Sequence, residues 1–111
     1  MTMKKVASDS VIYKICSRTV WESIRHSGEW EGSPDDRRDG FIHFSAGDQV
    51  DGTIQRHFAS QSDLVVLSVD SRQLGGNLKW EPSRGGDVFP HLYGPLPITA
   101  VVDVRDWQVD S

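Results

Sequence analysis

Two histidines and a serine are the residues of this chain whose setting suggests chemistry. The segment Asp39-Gly40-Phe41-Ile42-His43-Phe44-Ser45 reads as a turn feeding a short strand. Alternation sends Ile42 and Phe44 to one face and Phe41, His43 and Ser45 to the other. An imidazole and a hydroxyl thus leave the same side of one rigid element, an arrangement suited to holding a ligand. A second polar cluster, Phe89-Pro90-His91-Leu92-Tyr93-Gly94-Pro95, carries His91 and Tyr93. Its prolines and glycine describe a stiff loop, which serves equally as a plain connector or as a preorganised pocket wall. Glu81 closes the run Leu78-Lys79-Trp80-Glu81 just before Pro82, where a solvated carboxylate is also ordinary. The plainer reading of His43 is a strand histidine that ties its sheet to a loop carbonyl.

Other chemistries find little support. His26, His43, His57 and His91 are widely separated, with no His-x-x-x-His pair and no cysteine cluster, so no metal site is expected. Gly75-Gly76 and Gly85-Gly86 fit turns rather than a phosphate-binding loop. No Gly-x-Ser-x-Gly elbow is present. Cys16, the single cysteine, lies in the apolar run Val11-Ile12-Tyr13-Lys14-Ile15-Cys16 and reads as a buried thiol rather than a nucleophile.

The elements that must position these residues follow from periodicity. A first strand is expected over 11–16. A helix follows, started by a capping box between Thr19 and Glu22, burying Val20, Trp21 and Ile24, and stopped at Gly28. Residues 31–40 read as a polar, turn-rich loop, either simply solvated or a flap over a cleft. Val50, Ile54 and Phe58 recur at helical spacing over 48–59, leaving Thr53 and Arg56 on other faces and within reach of a neighbouring site. The run Leu64-Val65-Val66-Leu67 marks a strand over 64–70 that is buried on both faces. Further strands are expected over 78–81 and 98–104, with Trp107 packing back on the core. Early helices and late strands favour an α+β fold with mostly antiparallel pairing: two small sheets with two short helices against them.

At 111 residues the chain is expected to be a single domain over 11–111 behind a loose tail over 1–10. A net charge of -4 argues against general attraction to nucleic acid or to anionic membranes. Lys4 and Lys5 precede no apolar run of the signal-peptide kind, and no apolar run approaches transmembrane length. With one cysteine excluding an internal disulfide, the expected setting is cytoplasmic.

Taken together, Ile12-Tyr13-Lys14-Ile15, Trp21, residues 39–45, Gln49, Gly52-Thr53, Leu78-Lys79-Trp80-Glu81 and Phe89-Pro90-His91-Leu92-Tyr93-Gly94 resemble a small bacterial family, the domain-of-unknown-function family numbered 952. The resemblance spans 11–104. It implies a fold grouped with the ADP-ribosyltransferases, in which two small sheets part around an NAD-binding cleft. Within that group the strand from Phe41 to Ser45 looks like the His-Val-His-Leu-Ser strand of the tRNA 2'-phosphotransferases. His43 and Ser45 match its second His and its Ser, whereas Phe41 stands where the first His would be. Their first-strand His-Gly-Thr is replaced by Tyr13-Lys14-Ile15. Arginines Arg18, Arg56 and Arg84 are available, and Glu81 is the candidate for the later-strand glutamate that the toxin-type members use.

Cleaving a nicotinamide–ribose bond passes through an oxocarbenium-like transition state, as glycoside cleavage does. On this resemblance, Tyr93 or Trp80 would stack the ring and His43 and Ser45 would donate to it. Lys14, Arg56 or Arg84 would meet phosphate, and Glu81 would face the ribose. The expected site is therefore His43 and Glu81 as catalytic groups, with Lys14, Ser45, Thr53, Arg56, Trp80, His91 and Tyr93 binding the ligand. NAD is expected as a substrate rather than a tightly bound cofactor. The alternative is a module that kept the cleft for a nucleotide, a small metabolite or a protein partner and lost catalysis. The lost His-Gly-Thr favours that alternative. The polar strand and the His91 loop favour retained binding.

Overall fold

The computed structural model describes residues 10–83 and 85–107. The expected tail, apart from Ser10, and the candidate Arg84 lie outside the described residues.

The chain runs β1 (Val11–Ser17), α1 (Arg18–Ile24), β2 (Glu29–Trp30), α2 (Pro34–Asp39), β3 (Ile42–His43), α3 (Val50–His57), β4 (Leu64–Asp70), β5 (Leu78–Pro82), β6 (Val88–Leu92), β7 (Leu96–Pro97) and β8 (Val101–Trp107). Every pairing is antiparallel. The strands make a sheet ordered β1-β4-β8, another ordered β3-β6-β5, and a two-stranded β2-β7 ladder. The architecture is thus α+β with small antiparallel sheets; among the described residues there are three sheets rather than two, and three short α-helices rather than two.

The largest sheet carries the core. All seven residues of β4 are buried, as the apolar run implies for a central strand. Its two faces feed two clusters. Val65, Leu67 and Val69 join Ile12, Cys16, Ile42, Phe44, Leu92 and Leu96, filling the space toward the β3-β6-β5 sheet. Leu64 and Val66 join Ile15 of β1 and Val50 and Ile54 of α3, with Phe58 and Trp107 packed on the edge. Trp107 does return to the core. Cys16 sits in the first cluster, and burial pushes its thiol up to about 11.

Lys14 faces the same cluster, because it lies between Ile12 and Cys16 on β1 and opposite Leu67. Its amine crosses the core to the other sheet, donating to the His43 carbonyl at 2.9 Å. A second tie is the backbone bridge between Tyr13 and Ser45, with both N–H···O distances 2.8 Å.

Four local expectations differ from the structure. First, α1 is capped by Ser17, whose side chain accepts from the Val20 N–H, rather than by Thr19. The helix buries no residue fully: Val20 is exposed, and Trp21 packs only partly on the core. Second, residues 34–39 are helical, not loop. Ser33 and Asp36 form a reciprocal capping box, Pro34 starts the helix, and Gly40 ends it in the left-handed region at φ 88°. Third, residues 88–92 form the middle strand of a sheet. Pro90 lacks an N–H, yet its carbonyl accepts from the Phe44 N–H at 3.0 Å. Fourth, the last strand starts at Val101, after a 3-10 turn over Ile98–Ala100, and runs on to Trp107.

Gly32 is required by close approach. Its φ is +97°, and a Cβ there would lie 2.7 Å from Asp36 Cβ, too near to tolerate. The glycine lets the β2–α2 connection press against Asp36, the residue from which the site is built.

Candidate functional site

Asp36 is 2% exposed and wholly engaged. One carboxylate oxygen accepts from Lys14 Nζ at 2.7 Å and the Ser33 N–H at 2.9 Å. The other accepts from the His43 ring Nδ1 at 2.6 Å and the His43 N–H at 3.2 Å. Burial alone would push this carboxyl up. The His43 hydrogen bond and the Lys14 charge outweigh it and hold the group well below the usual carboxylate range. Lys14 is lowered by its own burial, with Asp36 opposing that shift.

His43 is therefore fixed from two sides. Its Nε2 lies 3.1 Å from Asp39 Oδ2, one helical turn before it in sequence, while Nδ1 is held by Asp36. Both ring nitrogens face carboxylates, so the imidazole orients its surroundings more readily than it takes a proton from a substrate. The plainer expectation of a bond to a loop carbonyl is replaced by these two acids.

Strand register sets the rest of the face. His43 of β3 is opposite His91 of β6, and His91 is opposite Lys79 of β5. Alternation then puts Phe41, His43, His91, Tyr93, Lys79 and Glu81 on one side of this sheet. The Phe41 ring stacks on His91 with centroids 4.2 Å apart, and lies 4.7 Å from His43 and 5.2 Å from Tyr93. His43 and His91 meet edge-on at 5.5 Å. Glu81 Oε1 accepts from Tyr93 OH at 2.6 Å and sits 2.9 Å from His91 Nδ1. Those two hydrogen bonds, Tyr93 first, lower the Glu81 carboxyl, and the same contact raises the Tyr93 hydroxyl. Lys79 Nζ lies 5.7 Å from the Tyr93 ring centroid.

The predicted residues divide accordingly. His43, Glu81, His91 and Tyr93 come together. Arg56 reaches the far end of the same face, 5.9 Å from the Phe89 ring, with its Nε–H donating to the Gly52 carbonyl at 3.2 Å. Ser45 is buried and its hydroxyl pairs with Thr53 at 2.8 Å, which joins α3 to the end of the β3 segment rather than facing the aromatics. Lys14 is 6% exposed and paired with Asp36, so it does not serve a phosphate. Arg18 pairs with Asp63 and Asp106 on the edge of the large sheet. Trp80 is in register with Pro90, on the sheet side opposite Glu81, and is 48% exposed, neither core nor part of the face.

Asp36, Asp39, Phe41 and Lys79 were not expected as site residues. Ser33-Pro34 followed by Asp36 is a readable helix start, and Asp39 stands four residues before His43. His43 and Glu81 lie together on one face of the β3-β6-β5 sheet and do not line the depression that adjoins it. That shallow depression of about 270 Å³ lies beside the face, between the β2–α2 segment and the 92–95 turn, and Phe41 is its shared wall. Among the described residues, no group of three or more His, Cys, Asp or Glu side chains is arranged to hold a metal, and no helix is long and apolar enough to cross a membrane.

Fold and site together define a small α+β domain with a histidine–aromatic face backed by a buried lysine–aspartate pair. The chain belongs to the family described as "Protein of unknown function (DUF952)", which matches residues 15–104. It is similar to protein CC0527 from Caulobacter crescentus. The crystal structure of that protein shares 48% identity over 91% of this chain and 89% of its own, with a TM-score of 0.86. A double mutant of CC0527 aligns at 46% identity and a TM-score of 0.85, covering 91% and 89% of the two chains. Its solution NMR structure aligns at 47% and 0.81, covering 92% and 88%. No curated protein matches the chain.

Proposed function

We propose that this protein is an ADP-ribosyltransferase-like domain that binds NAD or a related nucleotide on the Phe41–His91–Tyr93 face and acts on its ADP-ribose part. The observation that carries this reading is the Glu81 carboxylate, kept ionised by Tyr93 and His91 beside stacked rings. An anionic acceptor next to an aromatic platform suits a ribose ring that gains positive charge. In the proposed reaction nicotinamide leaves with the bonding electron pair, and water or an acceptor hydroxyl bonds to C1 of the ribose and gives up its proton to solvent. Glu81 would bond the ribose hydroxyls. His43, braced by Asp36 and Asp39, would keep Phe41 and His91 in place. The distant likeness of the Phe41–Ser45 segment to the tRNA 2'-phosphotransferase strand supports the same class of ligand.

A second reading is a binding module without turnover. It is favoured by the state of two candidate groups: Lys14 is taken up by Asp36, and both ring nitrogens of His43 are occupied. Incubation with NAD, followed for nicotinamide release beside a thermal-shift titration, separates the two. Release that vanishes in Glu81→Ala, with folding intact, is the expected result for an enzyme. A shift in melting temperature with no release supports the module. Absence of both rejects the nucleotide reading.

A further inference from the structure

We infer that the depression beside Phe41 is an anion-accepting subsite in which Arg37 takes a phosphate of the nucleotide; this rests on the nucleotide reading above and assigns its other half. Besides Asp36, whose carboxylate is already taken up by Lys14 and His43, the depression is lined by Glu31, Arg37, Phe41 and Pro95, among others. Its volume, about 270 Å³, is just below the ~300 Å³ at which pockets for drug-sized ligands begin. That size leaves no room for a whole dinucleotide, so the depression would take only a part of one.

Continuity points to the other portion. Phe41 lines the depression, and its ring also touches His43, His91 and Tyr93. A ligand passing over Phe41 thus meets the depression on one side and Glu81 on the other. The Phe41 ring and the exposed Pro95 supply the apolar part of the depression's wall, while Ile42 and Leu92 are 2% exposed and belong to the core behind it.

Charge selects Arg37 as the phosphate partner on this side. Lys14 and Arg18 are committed to carboxylates, and Arg38 is bonded to Asp35 and Asp39. Arg37 is exposed, lines the depression, and makes no ion pair among the described residues. A guanidinium recognises phosphate through paired, charge-assisted N–H donors. Glu31, on the same wall, repels phosphate and suits a sugar hydroxyl or an exocyclic amine, so the two charges give the subsite a polarity.

Calorimetric titration of the full chain with ADP-ribose, AMP and adenosine, with Arg37→Gln and Arg56→Gln beside the wild type, tests this. Arg37→Gln is expected to weaken ADP-ribose and AMP by at least about tenfold while leaving adenosine within about twofold. Amide resonances of Gly40, Ile42 and Gly94 are expected to move when AMP is added. Unchanged ADP-ribose binding in Arg37→Gln, a loss seen only in Arg56→Gln, or an equal loss for adenosine would each overturn the subsite and leave the face around Glu81 standing. Wild-type protein that binds none of the three overturns the subsite and the nucleotide reading together.

Discussion

Asp36 collects more of the site than any other side chain. It accepts from Lys14, Ser33 and twice from His43 with almost no solvent contact. Asp36→Asn keeps the shape but leaves the Lys14 ammonium buried without its counter-ion. Breaking a buried pair in that way costs about 3–5 kcal/mol, and the prediction is a fall of that order in the urea-unfolding free energy. The pH dependence follows the same contacts. Because the folded carboxyl sits below its unfolded value of about 3.9, the unfolded chain binds the extra proton. The stabilisation is therefore complete above about pH 4 and drains away as pH falls further. Wild-type protein should lose stability in that acid range more steeply than Asp36→Asn. At Glu81 the expectation concerns titration alone. Tyr93→Phe removes the first cause of its lowered pKa, so the Glu81 carboxyl resonance should titrate at higher pH than in the wild type while the fold is unchanged.

The elements differ in how openly the sequence announces them. The strands β1 and β4 and the helix α3 carry continuous or periodic apolar residues, and burial follows those patterns directly. The helix α2 has no apolar residue after Pro34. It is held by its caps and by Asp36, whose partner Lys14 lies 22 positions earlier, so no periodicity could reveal it. Only Ser33-Pro34 ahead of Asp36 carried the local signal, and the surrounding charges masked it. The strand β6 was hidden by Pro90, a residue that argues against a middle strand. In this chain β3 is two residues long and asks of Pro90 only its carbonyl. The side of the sheet on which His43 projects was legible from alternation; its two acidic partners required the hidden helix. Ser33→Ala tests the importance of that cap. Loss of an N-cap costs about 1 kcal/mol, and here it should also loosen His43, visible as faster hydrogen exchange at the His43 amide.

At the scale of the molecule, one central strand separates two apolar clusters, and the candidate site lies outside both, on the far side of the smaller sheet. The first cluster nonetheless reaches the site through Lys14, which holds Asp36 and the His43 carbonyl. Cys16 reports on that cluster: burial raises the thiol to about 11, so little thiolate forms at neutral pH. Reaction with a disulfide reagent should be very slow in the native protein and become rapid only as denaturant unfolds it. Leu67, opposite Lys14 and wholly buried, belongs to the same wall.

The lysine that spans the core binds two remote stretches of chain into one heritable character. A homologue that replaces the acid at position 36 with a neutral residue would strand a cation in hydrocarbon unless position 14 changed as well. Relatives should therefore carry both members or neither, and chains that have lost both should also show a freer choice of residue at position 43.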